Sequence, residues 1–148
     1  MSSTQSSLFE YIHLNSGSLI PQIGLGVYKS APGNETYDAV LNSIHLGYRH
    51  IDTAQIYQNE EDVGRAIKDS GVSRDDIYIT TKLWLSNFGY DNTINAIKSS
   101  LWKLKISYVN LILLHAPGNP ELRVETWKAL EDLQRQGLII DIGTTRIF

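Results

Sequence analysis

The 148-residue sequence contains no cysteine, which excludes a disulfide framework, a thiolate metal site and redox chemistry through thiols. It also lacks a secretory start and any apolar run of membrane-spanning length. Neither sign of charge dominates, because 13 lysines and arginines stand against 16 aspartates and glutamates, for a net charge of -3. Such a chain lacks the excess of positive charge that is typical of proteins that bind nucleic acid. We therefore expect a cytoplasmic protein with neither a nucleic-acid nor a membrane partner.

The glycine fingerprint of a dinucleotide-binding turn is missing as well. Gly24-Leu25-Gly26 stands alone, without the third glycine that completes a G-x-G-x-x-G turn between a strand and a helix. A dehydrogenase of the Rossmann type is therefore the weaker alternative.

Length and composition predict one domain over residues 1–148, since no linker or low-complexity tract interrupts the chain. Two apolar runs, residues 8–14 and 19–23, are joined by Asn15-Ser16-Gly17-Ser18, whose residues suit a tight turn. This pattern predicts an N-terminal β-hairpin.

From Gly24 onward, short apolar runs alternate with segments of helical period, which predicts βα units around a parallel sheet. Strands are expected over residues 50–53, 77–82, 109–115 and 138–142. Helices are expected over residues 35–46 and 60–69, along the stripe Ile94, Ile97, Leu101 and Leu104, and from about Pro120, where Val124, Trp127, Leu130 and Leu133 should face inward.

Four polar side chains stand at or just past the carboxyl ends of predicted strands, namely Asp52, Tyr57, Lys82 and His115. The carboxyl ends of parallel strands meet at one rim, where active sites of such folds lie. A phenol is a weak proton donor at neutral pH, but a neighbouring ammonium makes it more acidic, and a carboxylate keeps that ammonium charged. This set needs no nucleophile and no metal. It predicts protonation of a carbonyl oxygen while a cofactor delivers hydride to the carbon.

The residues that carry this chemistry resemble the signature of the aldo-keto reductase family. The matching segments are residues 47–54 followed by Tyr57, Glu60 and residues 63–64, then residues 81–84, then residues 113–117. The resemblance extends from about Leu8 to Ile142. It implies a (β/α)8 TIM barrel closed at its bottom by the hairpin, and NADPH-dependent reduction of aldehydes or ketones to alcohols.

The resemblance also implies a role for each residue. Tyr57 is expected to donate the proton, with Lys82 and Asp52 tuning its acidity. Asp52 should also contact the nicotinamide ribose, and His115 should bind the substrate carbonyl.

Further expectations concern the walls of the site. Gly26, Val27 and Tyr28 match the first βα loop of the family and are expected at the cofactor. Tyr28 and Trp84 are expected to line the substrate pocket, although aromatic residues at such positions serve core packing about as often.

The sequence also departs from the family in length, in residues 144–146 after the fifth strand, and at two further positions. A full barrel takes about 250 residues, whereas this sequence predicts the hairpin, four βα units and a fifth strand. We therefore expect an incomplete barrel that lacks most cofactor contacts of the family and associates through its edge strands. A non-catalytic interaction or regulatory fragment is the alternative function. Asn110 replaces an aspartate, and Ala116 an aromatic residue, that are frequent in the family.

Overall fold

A computed structural model describes residues 10–145 of the chain. The strands of this part are β1 (Tyr11–His13), β2 (Leu19–Pro21), β3 (Leu25–Gly26), β4 (His50–Asp52), β5 (Tyr78–Leu83), β6 (Val109–Leu114) and β7 (Ile139–Thr144). The helices are α1 (Asn34–His45), α2 (Glu60–Asp69), α3 (Tyr90–Leu104) and α4 (Arg123–Arg135). Short 3-10 turns cover Gln55–Tyr57, Arg74–Asp76, Leu85–Asn87 and Pro120–Leu122.

The predicted hairpin is confirmed, since β1 and β2 pair antiparallel with Tyr11 opposite Pro21. Gly17 adopts a φ of 91° in the turn, a conformation that favours glycine. Leu8 and Phe9, which the prediction included in the first strand, lie outside the described residues.

The remaining strands form one parallel sheet in the order β3-β4-β5-β6-β7. Because crossovers between parallel strands are right-handed, a strictly sequential order places all connecting helices on one face of the sheet. The helices pack on one another in the same order, from α1 to α4. The predicted repeat of strand and helix is therefore confirmed.

Strand register decides which side chains face away from the helices. Ile51 and Ile79 are register partners and belong to the buried core. Asp52 and Thr80 are the next pair along and therefore lie on the opposite face. Lys82, two residues beyond Thr80, shares that face, so the sheet itself directs both charged residues to the same side.

The start and inward face of the fourth helix differ from the prediction. Pro120 begins a 3-10 turn, and the α-helix starts only at Arg123. Leu130 and Leu133 are fully buried as expected, but Val124 is 80% exposed, so its predicted inward position is wrong. Helical period shows which residues share a stripe, whereas burial also requires a neighbour over the whole stripe.

Asn110 has a clear structural role on β6. Its Oδ1 accepts hydrogen bonds from the backbone N–H of Ile79 at 2.9 Å and from Nη2 of Arg74 at 2.8 Å. An amide oxygen can serve both donors as a carboxylate oxygen would. Replacing the family's aspartate therefore preserves the acceptor.

Across residues 10–145, none of the helices combines the length and apolarity needed to cross a membrane.

Helices α2 and α3 approach closely at Gly64. A Cβ atom at Gly64 would lie 2.3 Å from the carbonyl oxygen of Leu104, at the end of α3. Backbone atoms cannot move aside as a flexible side chain could, so this contact requires glycine.

We expect Gly64→Ala to lower the free energy of unfolding by at least about 2 kcal/mol, although alanine ordinarily favours a helix over glycine. Urea denaturation measures the change. Gly26→Ala is the control, since a Cβ there meets nothing within 4 Å, and we expect it within about 0.5 kcal/mol of wild type. Equal stability of the two variants would contradict the close-packing interpretation.

Candidate active site

The ammonium group of Lys82 is the centre of the candidate site. Its side chain is only 9% exposed, and Nζ donates to the Asp52 carboxylate at 2.5 Å, to the Thr53 carbonyl at 3.1 Å and to the Tyr57 hydroxyl at 3.3 Å. An ammonium has three protons, so each finds an acceptor. The structure therefore brings Asp52, Tyr57 and Lys82 together as the sequence predicted.

The Tyr57 hydroxyl receives its hydrogen bond from Lys82, which determines where its own proton can go. Because the phenolic oxygen accepts from Nζ, its O–H must point to another acceptor. Tyr57 ends the 3-10 turn Gln55–Tyr57, which begins three residues after the last residue of β4. The arrangement suits proton donation to an oxygen placed beside the hydroxyl.

His115 and Trp84 complete one side of the site. His115 follows β6 directly, and its ring meets the Tyr57 ring edge-on at 5.9 Å between centroids. The Trp84 ring meets His115 edge-on at 5.1 Å. Both residues therefore lie beside the phenol, within reach of a small molecule bound there.

Tyr28 also lies beside the phenol of Tyr57. Its ring centroid is 5.2 Å from that of Tyr57, and the residue is 66% exposed. Such exposure excludes the core-packing interpretation of Tyr28 and fits a pocket wall.

Gly26 and Val27 differ in what they offer a cofactor. Gly26 is the register partner of Asp52, and a Cβ there would meet nothing within 4 Å, so open space lies beside the strand end. Val27 is 1% exposed and belongs to the core. Its N–H already donates to the Asp52 carbonyl, and its carbonyl accepts from Asn59. A cofactor contact by Gly26 or Val27 stays a prediction.

Sequence reasoning missed Asn59, which supports the site from behind. This residue is fully buried, and Oδ1 accepts from the Thr53 hydroxyl at 2.8 Å. Its Nδ2 donates to the carbonyls of Val27 at 3.1 Å and Ser30 at 3.2 Å. Asn59 thus ties the loop of Tyr28 to the segment of Tyr57. In the sequence, Asn59 could have been noticed as an amide side chain two residues after the proposed acid and just before the predicted second helix.

His50 lies on the same face of the sheet as Asp52, two residues earlier on β4. Its Nε2 is 2.9 Å from the Thr80 hydroxyl. Burial lowers the pKa of His50, and the Asp52 carboxylate opposes this only in part. The imidazole is therefore neutral at pH 7 and adds no second positive charge below Lys82.

Glu60 is a buried acid on the other face of the sheet. It is 2% exposed at the start of α2, and its Oε1 accepts from the Thr81 hydroxyl at 2.6 Å. Burial raises the pKa of Glu60, while hydrogen bonds from Thr81 and Ser100 oppose the rise. A raised pKa means that the folded state binds this proton more tightly than the unfolded state does.

We expect Glu60→Gln to flatten the dependence of stability on pH. In wild type, the contribution of Glu60 is fully present below its ordinary pKa of 4.5 and is lost as the pH rises through the higher folded value. The stability of wild type relative to Glu60→Gln should therefore fall as the pH rises above 4.5, which urea denaturation measures. Glu61→Gln, at an exposed neighbour on the same helix, should keep the wild-type slope. Parallel curves for Glu60→Gln and wild type would refute this.

Comparison with known proteins decides the family. Residues 22–147 match the Aldo/keto reductase family. The chain belongs to this family. The aldo-keto reductase resemblance seen in the sequence is thereby confirmed.

Relatives show how much of an aldo-keto reductase is present. The glyoxal reductase of Bacillus subtilis is 44% identical over 140 residues, which cover 95% of this chain and 50% of that protein. The chain spans about half the length of the curated relatives it matches.

Solved structures confirm the fold class. An aldo/keto reductase of Brucella melitensis superposes with a TM-score of 0.89 at 45% identity, covering 94% of this chain and 53% of that one. A Bombyx mori aldo-keto reductase in complex with NADP gives a TM-score of 0.84 at 35% identity, covering 94% of this chain and 51% of that one. The fold is thus α/β and corresponds to about half of a (β/α)8 TIM barrel.

Proposed function

We propose that this chain carries the proton-donating site of an NADPH-dependent oxidoreductase that reduces small aldehydes or ketones to alcohols. One observation carries the proposal. The Lys82 ammonium joins the Asp52 carboxylate to the Tyr57 hydroxyl, so that the phenolic proton is left for a substrate. Family membership and the NADP complex of a relative support the choice of cofactor.

The proposed reaction divides between a cofactor and this chain. NADPH, when bound, supplies the hydride that reaches the carbonyl carbon. Tyr57 gives its proton to the carbonyl oxygen, and the nearby Lys82 ammonium stabilises the phenolate left behind. The ring of His115 and the aromatic faces of Trp84 and Tyr28 hold the carbonyl over the phenol. An alcohol is the product, and Tyr57 regains its proton from water.

Residues beside Asp52 fit the reactive end of such a cofactor. Asp52 is 34% exposed at its side chain, and the space beside Gly26 is open. The carboxylate can accept a hydrogen bond from a ribose hydroxyl without giving up Lys82, because it has two oxygens. The proposed contact therefore leaves the ion pair between Asp52 and Lys82 in place.

A small, reactive aldehyde is the substrate class that we infer. The relative from Bacillus subtilis is named a glyoxal reductase, and glyoxal needs little pocket beyond the proton donor and the two aromatic walls. The open side of the site beside Tyr28, which is 66% exposed, accommodates such a molecule without a fitted cavity.

We expect purified chain to oxidise NADPH when glyoxal is added, as followed by cofactor absorbance. Tyr57→Phe should lower kcat by about a hundredfold or more, because general acid catalysis is lost. Tyr11→Phe, at a tyrosine 47% exposed on the hairpin, should leave turnover unchanged. Full turnover by Tyr57→Phe would overturn the assignment of the proton donor. A folded wild type that neither turns over nor gains thermal stability with NADPH would favour the alternative of an interaction fragment.

Association through the edge strands stays a prediction. Within residues 10–145, β3 and β7 are the two ends of the sheet, and unpaired strand edges offer backbone groups to another chain. A groove of about 1090 Å³ lined by Ala116, Val124 and Trp127 lies beside α4 and the end of β7. These features favour pairing with a second copy.

Light scattering at increasing concentration tests this pairing. We expect mass above that of the 16.7 kDa monomer, and Ile140→Lys on β7 should reduce it, because edge charges block strand pairing. Leu46→Lys places the same charge at a more exposed residue at the end of α1, away from the sheet edge, and should have no effect. A monodisperse monomer at every concentration would contradict the prediction.

A cytoplasmic location, the lack of a nucleic-acid partner and the preference for NADPH over NADH also stay predictions. The first two follow from composition, and the third from family membership.

A further inference from the structure

Gln55 uses its whole side-chain amide to join three separate segments. Its Oε1 accepts from the backbone N–H of Trp84 at 3.0 Å and from Nδ2 of Asn87 at 2.9 Å. Its Nε2 donates to the Ser100 hydroxyl at 3.1 Å and to the Ala96 carbonyl at 3.3 Å. A primary amide has two acceptor and two donor positions, and all four are occupied.

The segments joined are those that place the two sides of the candidate site. Gln55 begins the 3-10 turn that ends at Tyr57. Trp84 precedes the turn Leu85–Asn87 that follows β5. The other two partners lie on α3, which anchors the amide to a rigid element. A single side chain therefore connects the proton donor's turn, the loop of the aromatic wall and the helix behind both.

We propose that Gln55 is a positioning residue that holds Trp84 at a fixed distance from the Tyr57 hydroxyl. This inference rests on the proposed function for its kinetic consequence, but not for its structural one. The end of β5 determines where the backbone leaves the sheet, whereas the indole lies beyond that end, on a connecting loop. Loops of this kind are mobile unless their backbone groups are bonded. The amide supplies that bond directly to the N–H of Trp84 itself.

The consequence for catalysis is that Trp84 is already in position as one side of the pocket before the substrate binds. Trp84 contacts His115 edge-on, and His115 contacts Tyr57. If the loop of Trp84 moves, the indole leaves this row of rings and the substrate loses one side of its pocket. Binding should suffer more than proton transfer, because the contacts of Lys82 with Asp52 and Tyr57 do not involve Gln55.

The structural arm of the test needs no turnover. Trp102→Phe and Trp127→Phe leave Trp84 as the sole tryptophan of the three in the chain, and acrylamide quenching then reports its accessibility. In this background we expect Gln55→Leu to raise the quenching constant on the order of twofold. Gln58→Leu is the matched control, because Gln58 is an exposed glutamine directly after the same turn, and it should leave quenching unchanged.

The kinetic arm separates positioning from general stability. With NADPH and glyoxal, Gln55→Leu should raise KM by about tenfold while the pH profile of kcat keeps its shape, the pattern of lost substrate binding. Gln55→Glu keeps an acceptor oxygen for Trp84 and Asn87 and replaces the Nε2 donor to α3 by a second oxygen. It should recover most of the wild-type KM, which a residue needed only for folding would not do.

The outcomes are distinct for this inference and for the proposed function. Unchanged quenching of Trp84 in Gln55→Leu overturns the positioning role, whether or not the chain is active. A wild type without turnover overturns the proposed function and leaves the quenching result to decide this inference. If Gln55→Leu does not fold, Asn87→Ala removes one of the four partners. A smaller rise in quenching then supports the role, and no rise overturns it.

Discussion

The buried ammonium of Lys82 is the group on which the arrangement of the site depends. A cation that is only 9% exposed must have acceptors for its three protons, since an unpaired buried charge is costly. The acceptors come from the neighbouring strand end, the residue after it and the following turn. Parallel register between β4 and β5 delivers the carboxylate, and the 3-10 turn delivers the phenol. The same contacts that neutralise the cation therefore assemble a proton donor.

Two buried titratable groups flank this centre on opposite faces of the sheet. Burial raises the pKa of Glu60 and lowers that of His50, because it disfavours the charged form of each. Their contributions to stability run in opposite directions with pH: that of Glu60 weakens as the pH rises, and that of His50 weakens as the pH falls through its folded value. The two contributions therefore oppose each other as the pH changes.

Sequence patterns predicted most of the fold because hydrophobic periodicity and turn residues indicate the same elements along this chain. The second helix was bounded correctly at Glu60–Asp69, since its amphipathic stripe and flanking turns coincide. Val124 was wrongly predicted to face inward, because an apolar stripe on a helix does not show whether a neighbouring element covers all of it. The four catalytic candidates were visible as polar residues at strand ends and in family motifs. Asn59 and Gln55 were not, because most of their contacts are with residues 23 to 45 positions away, which no local pattern encodes.

The sequential order of the strands also bears on how the chain folds. Each strand of the parallel sheet pairs with the next one in the chain, and each helix packs against its immediate successor. No strand of this sheet pairs only with a strand from a distant part of the sequence. Loop-closure entropy is therefore spread over several short steps of similar size. A growing chain can add one strand and one helix at a time to the sheet edge, and the contacts of Lys82 involve only residues that precede β6.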